Sequence, residues 1–254
     1  MQRIVCDTMI WYDLSKGKLS IPDPRKFTLV CTYLTLTELA FTPNNFGKLN
    51  EVKAAIKQIV TLKPEFILTY PFNHAKTIID KNYNPKFNVE EDLVFGFLRM
   101  ILNHPNDEFK ENEFERALSH ISKRRSENSK DWADFLNKLK ESSKGFSWIF
   151  KKYSSDQLDK RKFKQWFVLQ INKTSESTYS SDTIDWTNFE FYESIYKRYH
   201  RNLIISKMKA DNNDDKDLGN MVYVQPNDLY WTLEKRWLSI AKEAKVEKYW
   251  HYGT

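Results

Sequence analysis

Strand-like segments lie at both ends of the chain, and this arrangement restricts the fold more than any other feature of the sequence. Near the N-terminus, strands are predicted at residues 3–6 and 28–33 and in "EFILTYPF". Near the C-terminus, strands are predicted in "DLYWTL" and "VEKYW", with the helix "EKRWLSIAKEA" between them. Late strands need a sheet to join, so the two ends are predicted to build one α/β domain.

The middle of the chain has a different character. From about residue 88 to residue 209, most segments show helical spacing, and loops of Asn, Ser, Lys and Asp separate them. We therefore divide the chain into an α/β core, residues 1–87 and 210–254, and a helical insertion, residues 88–209. A separate helical domain after the α/β domain is the alternative, and the final helix and strand argue against it.

Composition excludes several classes of protein. The 254 residues carry a net charge of +6, which fits a polyanionic partner. Cys6 and Cys31 lie in apolar stretches without the Cys/His spacing of a structural zinc site. No uncharged run approaches the roughly 18 residues of a membrane span, and the N-terminus has no signal-like apolar segment. We expect a cytoplasmic protein that does not associate with membranes.

Four acidic residues occupy related positions in the predicted elements. Asp7 follows the first strand, and Glu38 opens the helix after the second strand. Asp217 opens the helix "DLGNMVYV", and Glu234 follows the strand "LYWTL". Each acid alone also fits an ordinary residue at a helix N-terminus. Ligands of open parallel sheets bind outside the carboxyl ends of the strands, so together the four acids are expected to converge there.

Converging carboxylates need a positive charge. Mg²⁺ and Mn²⁺ prefer oxygen ligands, and such an ion polarises a phosphoryl oxygen and activates a water for in-line attack. We expect a metal ion, rather than Lys or Arg, to neutralise Asp7. The acidic run "DNNDDKDLGNMV" is not an EF-hand, because positions six and twelve of a loop starting at Asp211 are Lys216 and Val222.

Four segments of the chain resemble the PIN-domain family (PilT N-terminus-like nucleases). They are "IVCDTMIW", "TLTEL", "DLGNMVY" and "WTLEKRW", and the resemblance covers roughly residues 1–80 and 211–250. It implies a Rossmann-like three-layer α/β/α sandwich with a mostly parallel central sheet, which here carries the large helical insertion. It also implies endonucleolytic cleavage, usually of RNA, that depends on Mg²⁺ or Mn²⁺.

The resemblance also implies roles for individual residues. It makes Asp7, Glu38 and Asp217 metal ligands and catalytic residues, with Asp214 as an additional metal ligand. Glu234 would take part in catalysis directly or through a water, at a position where the family usually has Asp. Two hydroxyl side chains, Thr8 and Thr232, would support the site by hydrogen bonding.

A basic and aromatic segment offers a surface for RNA. Between residues 144 and 209 the sequence contains 13 Lys and Arg residues but 7 Asp and Glu residues. Cations can neutralise phosphates and aromatic faces can stack on unpaired bases. The spacing of Phe163, Trp166, Phe167 and Ile171 also fits the core of a helix. The candidate RNA-binding residues are Lys151, Lys152, Arg161, Lys162, Lys164, Arg198 and Arg201.

The leading hypothesis is an Mg²⁺- or Mn²⁺-dependent endoribonuclease that cleaves phosphodiesters with a metal-activated water. A catalytically degenerate RNA-binding or scaffold module is the first alternative, and Glu234 and the long insertion motivate it. A ribonuclease toxin silenced by an inhibitory protein partner is the second alternative. The sequence leaves open a homodimer, the number of metal ions and the identity of the RNA.

Overall fold

The structure is a computed structural model of the chain, and it describes residues 1–42, 48–85, 89–105, 127–142, 156–173 and 178–253. The strands are β1 (Gln2–Cys6), β2 (Phe27–Thr32), β3 (Glu65–Ile67) and β4 (Leu229–Trp231). The helices of the first half are α1 (Thr8–Ser15), α2 (Tyr33–Phe41), α3 (Leu49–Leu62), α4 (Pro71–Ile79) and α5 (Val89–Asn103). They are followed by α6 (127–142), α7 (Asp156–Asn172), α8 (Glu190–Ile205), α9 (Asp214–Met221) and α10 (Lys235–Glu243).

The four strands form one parallel sheet in the order β3-β2-β1-β4. β1 lies inside the sheet between β2 and β4, and it pairs Ile4 with Leu229 and Cys6 with Trp231 on its β4 side. The sheet therefore joins the two ends of the chain, as the sequence predicts. An α/β fold with a parallel sheet is confirmed.

Hydrophobic burial explains why β1 takes the central place. Ile4, Val5 and Cys6 are completely buried, so both faces of this strand are covered. A strand covered on both faces reads as a continuous apolar run rather than an alternating one. The burial of β1 places Asp7 at the carboxyl edge of the sheet.

The order of the strands creates a switch point beside β1. The connections β1-α1-β2 and β2-α2-α3-β3 move outward in one direction, and the chain then returns to the other side of β1 at β4. Because parallel crossovers are right-handed, the two directions of travel place helices on opposite faces of the sheet. Contact between α1 and α3 agrees with their shared face. Ligand crevices of such sheets form at the switch point, outside the carboxyl ends of the strands.

The helical middle packs onto this sheet domain at several places. α5 lies against α2 and α3, where the rings of Phe41 and Phe97 are 5.1 Å apart. α7 packs against α4 and α8, and Phe72 contacts Trp166 with ring centroids 5.7 Å apart. The hydrophobic core is continuous from the sheet into these helices. The division of the chain at residues 88 and 210 stays a prediction.

The last predicted strand is wrong in part. Residues of "VEKYW" form a 3-10 helix, Glu247–Tyr249, and one isolated parallel bridge joins Trp250 to Tyr230. Val246, Tyr249 and Trp250 are buried, whereas Glu247 and Lys248 are exposed. Burial three residues apart suits a helical turn, since a strand would bury alternate residues.

In the described part of the chain, no helix is long and apolar enough to cross a membrane. Two segments of the chain's middle with helical spacing, "ENEFERALSHISKRR" and "GFSWIFKKY", lie outside the described residues. So do the candidate RNA-binding residues Lys151 and Lys152.

Candidate functional site

Asp7 lies where β1 ends and α1 begins. It is the N-cap of α1, and its Oδ1 accepts a hydrogen bond from the backbone N–H of Thr8 at 2.6 Å. Its Oδ2 accepts a hydrogen bond of 2.8 Å from the hydroxyl of Thr232, just beyond β4. The Asp7 side chain is 4% exposed. Both carboxylate oxygens are therefore held by the chain at the switch point of the sheet.

Glu38 is brought to Asp7 by the way α2 starts. Thr32 caps α2 by accepting a hydrogen bond from the Thr35 N–H at 3.2 Å, and the Thr35 hydroxyl donates to the Cys6 carbonyl at 3.2 Å. These contacts fix the first turn of α2 against the end of β1. One turn later, Glu38 accepts a hydrogen bond from the hydroxyl of Thr8.

Asp217 comes from the far end of the sequence. It lies in the first turn of α9, which begins at Asp214 rather than at Asp217 as predicted. Its Oδ2 accepts a hydrogen bond of 2.9 Å from the indole N–H of Trp237, a fully buried residue of α10. Packing between α9 and α10 therefore orients this carboxylate.

The pKa values of these acids show that they share one electrostatic environment. Burial first, and then the charge of Glu234, raise the pKa of Asp7 to about 6, although hydrogen bonds from Thr232 and Thr8 oppose the rise. Burial first, and then the charge of Asp7, raise the pKa of Glu38 to about 7. Burial first, followed by the charges of Asp7, Glu234 and Glu38, raises the pKa of Asp217 well above its usual value. The four acids named from the sequence thus influence one another across the carboxyl edge.

Asp214 lies in the same helix but belongs to a different network. Its side chain is completely buried, and it accepts hydrogen bonds from the hydroxyl of Tyr199 at 2.6 Å and from the backbone N–H of Asp211 at 3.0 Å. It also forms an ion pair with Arg236. The carboxylate oxygens of Asp214 therefore contact Arg236 and Tyr199. The hydrogen bonds that hold Asp7 and Glu38 come from other residues, Thr8 and Thr232.

Arg236 is the residue of this site that the sequence analysis missed. Besides its ion pair with Asp214, its guanidinium lies 3.5 Å from Glu234 and 3.9 Å from Asp217. It also lies over the Trp237 ring, 5.0 Å from the centroid. A second basic residue, Lys216, lowers the pKa of Glu38. These two basic residues act on Asp214, Asp217, Glu234 and Glu38, and the expectation that a metal ion neutralises Asp7 stays a prediction.

The helical middle helps to shape the acidic edge. Asn137 of α6 exchanges two hydrogen bonds with the backbone of Ala210, at 3.0 and 3.1 Å. The hydroxyl of Ser129 donates to Asp215 at 2.9 Å. These contacts hold the loop that leads into α9, so residues of the insertion contribute to the position of Asp217.

The donor set of Asp7, Glu38 and Asp217 fits Mg²⁺ or Mn²⁺ by its chemistry, because it consists of carboxylates whose pKa values are raised first by burial and then by the charges of neighbouring carboxylates. Within the described residues, however, no three His, Cys, Asp or Glu side chains are grouped so that they could hold a metal ion.

The described candidate RNA-binding residues lie on the helical middle. Phe163, Phe167 and Ile171 of α7 are buried, as their spacing predicts, whereas Trp166, predicted with them, is only half-buried. Arg161 and Lys162 are exposed on the same helix, whereas Lys164, Arg198 and Arg201 are half-buried. Lys164 lies over the ring of Trp186, 4.6 Å from its centroid. The aromatic residues thus face inward while several cations remain accessible.

Replacing Asp7 by Asn is expected to stabilise the metal-free protein at high pH. A carboxyl whose folded pKa is raised supports folding below its unfolded pKa, near 4, and loses that support as the pH rises through about 6. At pH 8 the free energy of unfolding of Asp7→Asn should exceed that of the wild type by about 1–2 kcal/mol. Near pH 4.5 the two proteins should be similar.

Urea unfolding with EDTA at both pH values measures this difference. Asp13→Asn, on the same helix, is the matched control and should show no such pH-dependent gain. Equal or lower stability of Asp7→Asn at pH 8 would contradict the assigned burial of an ionised Asp7.

Replacing Arg236 by Met is expected to destabilise the fold, because the buried Asp214 loses its ion pair. We expect a loss of about 2 kcal/mol in the free energy of unfolding, since removing one partner leaves an uncompensated buried charge. Urea unfolding at pH 7 measures it. The neighbouring exposed Lys235→Met is the control, and adding Asp214→Asn to Arg236→Met should recover part of the loss. An unchanged free energy in Arg236→Met would contradict this role.

Comparison with known proteins adds nothing to this geometry. No protein-family model, no curated protein and no solved structure matches the chain. The chemistry of the site is therefore argued from the residues that form it.

Proposed function

We propose that this protein is an Mg²⁺- or Mn²⁺-dependent endoribonuclease with a PIN-like, Rossmann-type three-layer fold. The observation that carries the proposal is the electrostatic coupling of Asp7, Glu38 and Asp217 at the carboxyl edge of a parallel sheet. These residues come from three distant parts of the sequence, and all three have raised pKa values. Clustered, buried carboxylates favour a divalent cation as their partner.

The proposed chemistry assigns one task to each group of residues. Asp7, Glu38 and Asp217 would hold the metal ion, which when bound would lower the pKa of a water and polarise the scissile phosphate. Thr232 and Thr8 orient Asp7, and Thr8 also orients Glu38. Glu234, which is partly exposed beside Arg236, accepts a proton from the attacking water. Lys162, Arg198 and Arg201 attract the phosphate backbone from the helical side.

The net positive charge of the protein supports a polyanionic substrate. An acidic edge alone repels RNA, so cations elsewhere must supply the attraction. In this proposal the basic residues of α7 and α8 supply the attraction. α8 also contacts α9 through the hydrogen bond from Tyr199 to Asp214, so it lies next to the helix that carries Asp217.

Asp7→Asn is expected to lose metal-dependent cleavage while it keeps RNA binding. Labelled single-stranded and hairpin RNAs, incubated with Mg²⁺ or Mn²⁺ and resolved by denaturing electrophoresis, report cleavage. Fluorescence anisotropy with the same RNAs in EDTA reports binding. Asp13→Asn is the matched control and should cleave as the wild type does. Full metal-dependent cleavage by Asp7→Asn would refute the assignment.

A second candidate function is an RNA-binding or scaffold module without catalysis. The position of Arg236 favours it, because a guanidinium already compensates Asp214 and lies near Asp217 and Glu234. Calorimetric titration with Mn²⁺ separates the two candidates. The nuclease should bind Mn²⁺ in the millimolar range or more tightly, and Asp7→Asn should bind it more weakly. Absence of binding at millimolar Mn²⁺ would favour the scaffold.

A further inference from the structure

A cavity of about 240 Å³ lies between α7 and α8, in the helical middle of the chain. The rings of Phe163, Trp166 and Tyr196 line it, together with Ile204 and Ile205. Trp166 and Tyr196 are stacked, with centroids 4.3 Å apart and planes 25° apart. A cavity of about 150 Å³ is enough for benzene, so this volume accepts a larger planar ring.

Two buried polar atoms occur on residues that line this cavity. The Nε2 of His200 and the Nε of Arg201 are buried and have no hydrogen-bond partner among the residues that the structure describes. Buried polar groups are nearly always paired, and each exception calls for an explanation. Burial lowers the pKa of His200 to about 4, so its ring is neutral at pH 7, whereas Arg201 keeps its charge. Arg201 therefore needs an acceptor, and an anion suits it best.

The charges around the cavity also favour an anion. Lys162, Lys197 and Arg201 line it, with Asp159 as the acidic residue among the lining side chains. Lys197 forms an ion pair with Glu193 at 3.0 Å, so the cationic group placed at the end of the cavity is the guanidinium of Arg201. An occupant must thus combine a flat ring, for the aromatic wall, with a negative group, for the cationic end.

We propose that this cavity binds a nucleotide, with the base against the wall of Trp166 and Tyr196 and the phosphate at Arg201. A nucleotide combines the two required groups, and aromatic side chains stack on every base. The same chemistry is offered by a free mononucleotide and by one nucleotide of an RNA strand. None of these residues belongs to the acidic edge, so the proposal does not depend on metal-dependent cleavage.

The cavity is linked to the acidic edge through α8. Tyr199, which donates its hydroxyl to Asp214, precedes His200 in the sequence, and their rings meet edge to face at 5.3 Å. Tyr199 also stacks on Trp237, with centroids 5.4 Å apart. A nucleotide in the cavity would therefore rest on the helix whose other side positions Asp214.

Calorimetric titration of the full chain in EDTA tests the proposal. The probes are AMP, adenosine, inorganic phosphate and a 5′-phosphorylated tetranucleotide. Binding of AMP or of the tetranucleotide, with much weaker binding of adenosine and of phosphate alone, supports it. Binding of AMP identifies a mononucleotide pocket, whereas binding of the tetranucleotide alone identifies a pocket for a nucleotide within a strand.

Variants then assign the binding to this cavity. Arg201→Gln should weaken the binding by at least about tenfold, as expected for the loss of a charged hydrogen bond. His200→Gln should weaken it less, and Lys160→Gln, an exposed control on α7, should not change it. Circular dichroism verifies that each variant is folded.

Three results would overturn the proposal. They are absence of binding by every nucleotide probe at millimolar concentration, equal binding of adenosine and AMP, and unchanged binding by a folded Arg201→Gln. Each of them removes the phosphate contact assigned to Arg201, but leaves the proposed metal-dependent chemistry of Asp7, Glu38 and Asp217 standing, because these residues take no part in the assay.

Discussion

The hydrogen bond from Thr232 to Asp7 joins two residues that are 225 positions apart, and the rest of the site depends on it. It forms because β4 adds to β1 as a parallel neighbour, which places the residues after both strands at one edge of the sheet. The backbone supports the same junction, since the Asp7 N–H donates to the Trp231 carbonyl at 2.9 Å. Without this pairing, Asp217, Glu234 and Arg236 would have no fixed position relative to Asp7.

Buried charge is the second constraint on this molecule. Asp214 is fully buried and paired with Arg236, whereas Asp7 and Glu38 are held mainly by hydroxyl and backbone donors. The charge of Asp214 is thus compensated in a different way from the charges of Asp7 and Glu38. Arg236 neutralises Asp214, whereas burial and neighbouring carboxylates raise the pKa values of Asp7 and Glu38. In our proposal this contrast separates the residues that hold the architecture from those that meet a metal ion.

Much of the sheet and of the position of its acidic residues could be predicted from the sequence. Continuous apolar runs such as Ile4 to Cys6 indicated a buried strand, and an acid directly after such a strand had to lie at the sheet edge. Arg236 could not be found in this way, because it follows Glu234 in an ordinary charged helix start. Only the packing of α10 against α8, with α9 alongside, turns its side chain toward Asp214. The prediction of a final strand was wrong for a similar reason. Tyr249 packs against Phe191, with centroids 5.3 Å apart, and this contact draws the chain into a turn.

The central claim is that Asp7, Glu38 and Asp217 form one metal-binding edge. Anomalous diffraction from crystals grown with Mn²⁺ tests it most directly, because the signal locates the ion without reference to activity. We predict an anomalous peak bounded by the carboxylates of these three residues, with Arg236 still paired to Asp214. A well-diffracting crystal in which Mn²⁺ is absent from this edge, or in which Arg236 lies between Asp7 and Asp217, would contradict the claim.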